Sequence, residues 1–146
     1  MLERFVMIKI TKEISVSIND ILHLYQAVGW TNYTNQSQML EQALSHSLST
    51  YLARDGEEIV GLVRLVGDGF SSVFVQDLIV LPSYQRQGIG SDLMKQALSD
   101  YKDAYQIQLA TEQTEKTLGF YRSLGFETLS TYDCIGMIWV DRKKLQ

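Results

Sequence analysis

Apolar residues recur along this chain with two periods, and the switches between them mark out its elements. Residues 5–10 alternate well enough for a first strand. Ile18, Ile21, Leu22, Tyr25 and Val28 then fall on one face of a helix, with Ser17 or Asn19 as its cap and Gly29 as its end. A polar loop at 30–35, which holds Trp30 and Tyr33, leads to a second helical face of Met39, Leu40, Ala43, Leu44 and Leu48. Strands are predicted at 50–54 and 59–66, joined by the hairpin turn Asp55-Gly56, and at 72–80 after the tight turn Gly67-Asp68-Gly69. Pro82 stops that strand, and Leu93, Met94, Ala97, Leu98 and Tyr101 trace the next helix. A strand at 105–110 follows, then a short helix from 115 to 124 ended by Gly125 as a left-handed cap, and strands at 128–132 and 135–140 close the chain.

The resulting order is β-α-α-β-β-β-α-β-α-β-β. Three consecutive hairpin-linked strands exclude a doubly wound sheet and predict an α+β fold with a mixed, mostly antiparallel central sheet flanked by helices. A chain of 146 residues suits a single domain over 1–146, long enough to bury roughly 70% of its unfolded surface. With 45% hydrophobic and 21% charged residues it reads as an ordinary globular protein. No apolar run is long enough to span a bilayer and the N-terminus has no signal-peptide pattern, so a cytoplasmic protein without a membrane partner is expected.

The net charge of −4 argues against a nucleic-acid partner, which would want a basic stripe. Cys134, the only cysteine, allows no intramolecular disulfide and reads as a small packed side chain of a late strand. His23 and His46 are too few and too scattered for a metal cluster, so no metal is expected.

The most informative stretch is 73–91, where an apolar strand runs through a turn into Gly88 and Gly90 at the start of a helix. The first turn of a helix has backbone N–H groups without intrahelical partners, and its macrodipole adds to their attraction for an anion. Glycines bare of Cβ let a phosphate approach those amides. The stretch is not a P-loop, which needs GxxxxGK followed by Ser or Thr, nor a dinucleotide fingerprint, which needs glycine where Leu93 stands.

Gln85-Arg86-Gln87-Gly88-Ile89-Gly90 does match Q/R-x-x-G-x-G/A, and about thirty residues later stands Phe120-Tyr121-Arg122-Ser123-Leu124-Gly125-Phe126. Together with Val80-Leu81-Pro82 at the strand end, these segments resemble the acyl-CoA signature of the GNAT superfamily of N-acyltransferases. The element order is similar to that family's layout over nearly the whole chain. The resemblance implies acetyl-CoA as co-substrate and attack of a primary amine on its thioester. It also implies that Arg86, Gln87, Gly88, Ile89, Gly90 and Ser91 wrap the pyrophosphate, with Gln85, the first residue of the motif, as a further cofactor-binding position. Leu78, Ile79 and Val80 would offer backbone to the pantetheine arm and the thioester oxygen. Tyr121 matches the family's proton donor to the departing thiolate, and Thr114 stands where the family often has a CoA-contacting asparagine.

An alkylamine with pKa near 10.4 is neutral in only about one molecule in a few thousand at pH 7, so its proton must be taken by a base or a water chain. The glutamate that some relatives use falls at Leu109. Asp77, which interrupts an apolar strand, is the candidate base or holder of the substrate ammonium; its structural alternative is an ion pair with Arg64. Trp30 and Tyr33 are candidate acceptor contacts, by stacking or cation–π attraction, or else a packed aromatic lid. The pattern around 61–80 is also loosely similar to the aralkylamine N-acetyltransferase branch. The expected function is therefore acetyl transfer to a small-molecule amine. A protein acceptor and a non-catalytic CoA-binding or interaction module are the alternatives, and a homodimer is compatible with the chain but not required by it.

Overall fold

The computed structural model describes residues 7–141 and 143. The chain divides into two compact units, Met1–Leu109 and Ala110–Gln146.

The first unit is a five-stranded sheet in the order β1-β2-β3-β4-β5, formed by Ile8–Glu13, Ser49–Asp55, Glu58–Gly67, Ser72–Val80 and Gln106–Leu109. The first three pairings are antiparallel and β4 with β5 is parallel, as the expected mixed α+β sheet requires. Residues 5 and 6 of the expected first strand lie outside the described residues, and β1 runs on to Glu13 because it pairs with β2 throughout, Ile8 opposite Asp55 and Glu13 opposite Thr50. Pairing, not apolar alternation, sets that strand end.

Helix α1 (Ile18–Ala27) starts at Ser17, whose Oγ accepts from the Asn19 N–H at 3.3 Å. The expected loop at 30–35 contains a single helical turn, α2 (Thr31–Thr34), and α3 (Ser37–Ser45) stops short of Leu48, whose N–H is taken by the Leu65 carbonyl at 2.8 Å. Ile21, Leu24 and Tyr25 of α1 and Leu40 and Leu44 of α3 bury against Leu52, Leu62 and Ile79 on one face of the sheet. Helix α4 (Ile89–Asp100) covers the other face with Ile89, Leu93, Met94 and Ala97. Gly61 makes that approach close: a Cβ there would lie 3.1 Å from the Ile79 carbonyl oxygen and 3.2 Å from Leu93 Cδ1.

The second unit is built on α5 (Glu115–Ser123). Thr114 caps its start, and the expected left-handed stop is present: Gly125 has φ +98° and lets the Phe126 N–H return to the Tyr121 carbonyl at 3.1 Å. The two closing strands are not formed. Leu129–Tyr132 is a 3₁₀ turn, in which the hydroxyls of Thr128, Ser130 and Thr131 bond one another and compete with any ladder. Residues 135–140 have no secondary structure and are exposed. Cys134 is accordingly exposed and in no strand, contrary to its expected packing. Among the described residues no helix is long and apolar enough to cross a membrane.

Candidate active site

The cradle lies between the end of β4 and the start of α4. After the 3₁₀ turn Pro82–Tyr84, Arg86 has φ +64° and Gly88, the N-cap of α4, has φ +81°. Alternation of left-handed with ordinary backbone curls successive N–H groups into an anion-binding concavity, which here opens onto the free amides of the first turn of α4. No side chain caps that turn. A Cβ at Gly88 would meet no protein atom within 4 Å, so the space beside it is open. Arg86 and Gln87 are exposed, Gly90 and Ser91 half-buried, and Ile89 is buried, so Ile89 can offer a ligand only its backbone. The Gln85 side chain donates to the Val80 carbonyl at 3.1 Å and ties the loop to the end of β4.

Among the described residues, β4 is unpaired on one side beside this loop. Its parallel ladder with β5 runs only from Ser72 opposite Gln106 to Val75 opposite Leu109, while its antiparallel ladder with β3 continues to Val80 opposite Gly61. The Leu81 N–H donates to the Val60 carbonyl at 2.9 Å, which makes that couple a hydrogen-bonded pair. Alternation then makes Leu62 with Ile79 another such pair and leaves Val63 with Leu78 and Gly61 with Val80 as the others. The N–H groups of Leu78 and Val80 therefore point away from β3 into the open side, and that of Ile79 points to β3.

Where the ladder changes register, Arg64 faces Asp77 but Leu65 faces Val75, so Gln76 is an extra residue bulged out of β4. On the α1 face at this point stands a buried polar cluster. Asp77 is 2% exposed and Arg64 4%, with Arg64 Nε 2.7 Å from Asp77 Oδ2. The Tyr25 hydroxyl donates to Oδ2 at 2.8 Å and the Tyr33 hydroxyl to Oδ1 at 3.1 Å, while Arg64 Nη1 donates to Ser47 Oγ at 3.2 Å. Burial, the largest single influence, would lower the Arg64 pKa, but the Asp77 charge, its hydrogen bond and the two tyrosines together outweigh it and raise the pKa above its ordinary value, so the guanidinium stays charged. Burial, and then the Asp77 charge, push the Tyr25 and Tyr33 phenols above their ordinary range. Asp77, expected as a base or as the seat of the substrate ammonium, is instead the acceptor of three donors in the ion pair that was its structural alternative, and it has almost no surface on which to meet an amine.

Trp30 and Tyr33, the expected acceptor contacts, come together over this cluster. The Tyr25 ring centroid lies 6.0 Å from Trp30 and 5.2 Å from Tyr33, both edge-on. Tyr25 was legible only as part of an apolar helix face. A tyrosine there needs a hydroxyl partner, and that need was the available signal. Ser47 carried none.

In the second unit Tyr121 is half-buried, edge-on to Phe120 at 4.9 Å and to Phe126 at 5.9 Å. Burial raises its phenol pKa against the opposing pull of a hydrogen bond with Thr111, so the ring is protonated at neutral pH. Thr114, expected to contact CoA, uses its hydroxyl locally: Oγ1 accepts from the Thr117 N–H at 3.2 Å.

A strand splayed at its C-terminal half beside a glycine-bearing helix start is the arrangement that the resemblance to the GNAT superfamily implied, and the comparisons with known proteins bear out the family. The acetyltransferase (GNAT) domain model matches residues 46–128, and the chain belongs to this family. It is an acyltransferase fold of a family whose acyl donor is acetyl-CoA. A GNAT-family acetyltransferase structure from Streptococcus pneumoniae TIGR4 is 73% identical, covers 93% of this chain and 99% of its own, and superposes with a TM-score of 0.86. GCN5-related N-acetyltransferase 1, chloroplastic, of Arabidopsis thaliana is 28% identical over 88% of this chain and 65% of its own length. Serotonin N-acetyltransferase 2, chloroplastic, of Oryza sativa is 32% identical over 62% of this chain. The chain spans less than two thirds of either of these curated relatives, 65% and 48%.

Proposed function

We propose that the protein transfers the acetyl group of acetyl-CoA to the primary amine of a small molecule by direct attack on the thioester. The observation that carries this reading is the open side of β4 beyond Val75, next to the amide concavity at residues 86–91. The concavity takes the pyrophosphate, with Arg86 as an exposed cation at its rim. The pantetheine arm adds to β4 as a short strand, and the N–H of Leu78 or Val80 donates to the thioester oxygen as charge grows on it. The amine nitrogen forms its bond to the carbonyl carbon, the carbon–sulfur bond breaks, and the sulfur leaves with a proton from Tyr121. Tyr121 holds this role from its place in the second motif and from its protonation. The amine gives its own proton to solvent, since Asp77 is occupied by three donors. Asp77 and Arg64 are positioning residues that fix the Tyr33 hydroxyl and ring.

Trp30 and Tyr33 support an acceptor with an aromatic or cationic face. The rice relative is named for serotonin, which favours an aromatic amine over a peptide N-terminus. Incubating the protein with acetyl-CoA and a panel of amines while reading free thiol tests the proposal. Thiol release is expected with small primary amines, fastest for aromatic ones. Release with lysine or N-terminal peptides alone would transfer the assignment to a protein acceptor.

A further inference from the structure

Between the end of β4 and the start of α4 the chain holds one strained residue. Arg86 has φ +64°, in the left-handed region, without being a glycine, and such a conformation persists only where its surroundings fix it. On the helix side the loop is fixed by burial, since Ile89 and Leu93 of α4 lie in the core. On the strand side the fixing falls to the 3₁₀ turn Pro82–Tyr84, which is exposed at Pro82 and Ser83 and half-buried at Tyr84.

Tyr84 ties that turn to a distant part of the same sheet. Its hydroxyl donates to Asp55 Oδ2 at 2.5 Å, and Glu58 Oε2 lies 3.4 Å away as a second acceptor. A hydroxyl has one proton to give, and the shorter bond to Asp55 takes it. A separation of 2.5 Å falls in the short range of hydroxyl-to-carboxylate bonds, which are roughly twice as strong as neutral ones. Asp55 pairs with Glu58 across the β2–β3 hairpin and faces Ile8 of β1 on its other side, so the acceptor is itself held by two ladders. The hydroxyl, and not the volume of the ring, makes this tie.

We propose that Tyr84 is a positioning residue for the cofactor, whose bond to Asp55 holds the loop from Leu81 to Gly88 in its curled form before the pyrophosphate arrives. The proposal rests on the reading of residues 86–91 as the pyrophosphate site and adds what keeps that site formed in the free protein. A cradle already ordered loses less freedom on binding, so the tie acts on affinity. It does not act on the chemical step, because acetyl-CoA at saturation orders the loop through its own contacts.

Tyr84→Phe keeps the ring and removes the tie. Its CoA affinity by calorimetry should fall about five- to tenfold, with the KM for acetyl-CoA rising in step and kcat at saturating cofactor unchanged. Amide hydrogen exchange at residues 83–88 should quicken in the free variant and return to the wild-type rate with CoA bound. Adding Asp55→Ala to Tyr84→Phe should cost no further affinity, since the two residues act through one bond. The proposal is overturned by a Tyr84→Phe affinity within about twofold of the wild type, by a loss confined to kcat, by unchanged exchange in the free variant, or by additive losses in the double variant. Wild-type protein that binds CoA beside an unaffected variant sinks this role alone. Wild-type protein that binds no CoA sinks the proposed function and this role together.

Discussion

Arg64 and Asp77 are each buried to a degree that either alone could not sustain, and their pairing with Tyr25, Tyr33 and Ser47 satisfies the charges. Asp77→Asn removes the charge and leaves a buried guanidinium uncompensated, which should cost about 3–5 kcal/mol of stability. Urea unfolding checks this; a variant of wild-type stability would show that the pair is not what the fold depends on. Acetyl-CoA affinity in the folded fraction should be unchanged, because the cluster faces α1 and not the cradle. Tyr121→Phe separates differently. Its ring already packs on Phe120 and Phe126, so stability should shift little. General-acid assistance is typically worth about 10² to 10⁴-fold, and a thiol with pKa near 8.5 is already a fair leaving group, so the low end applies. Single-turnover acetyl transfer should slow by about 10²-fold with acetyl-CoA affinity retained, and an unchanged rate would return Tyr121 to a core aromatic.

At the scale of elements, what could be read in advance was what is local. The cradle was legible because its turn, its glycines and its helix start are contiguous, and the Gly125 stop because one residue needs positive φ. The polar cluster was only partly legible: residues 25, 33, 47, 64 and 77 come from separate segments, and only the Arg64–Asp77 facing follows from a hairpin. The closing strands were misread because apolar alternation reports a preference for pairing and cannot supply the neighbour. The cradle itself gives the prediction at this scale. Gly88 has φ +81°, open space around its missing Cβ, and no side-chain cap competing for the amides of α4. Gly88→Val strains that conformation by about 1–2 kcal/mol and puts a branched side chain into the open space. CoA affinity by calorimetry should fall at least about tenfold, while the thermal transition remains cooperative. A folded variant with unchanged affinity would place the cofactor elsewhere.

Across the whole molecule the buried tyrosines make the fold lose stability at alkaline pH. Tyr25 and Tyr51 have no exposed surface, and each hydroxyl donates to a carboxylate, Tyr25 to Asp77 at 2.8 Å and Tyr51 to Asp100 at 2.7 Å. Burial first, and the nearby carboxylates after it, raise both phenols above the ordinary value of 10.0, and the half-buried Tyr33 is raised in the same direction. In the unfolded chain these groups lose their protons near pH 10; in the native chain they keep them to higher pH. Above pH 10 the unfolded state therefore binds fewer protons than the native state, and stability falls as pH rises. Below pH 10 both states are protonated and the contribution is constant. Each fully buried phenol adds at most about 1.4 kcal/mol of loss per pH unit in this window. Urea midpoints measured from pH 7 to about pH 11.5 should thus be flat through this term up to pH 10 and then decline. Tyr25→Phe with Tyr51→Phe should be less stable at pH 7, having lost two donors to carboxylates, yet should decline less steeply above pH 10. A double variant with the wild-type alkaline slope would mean that other groups, and not these two phenols, carry the proton linkage.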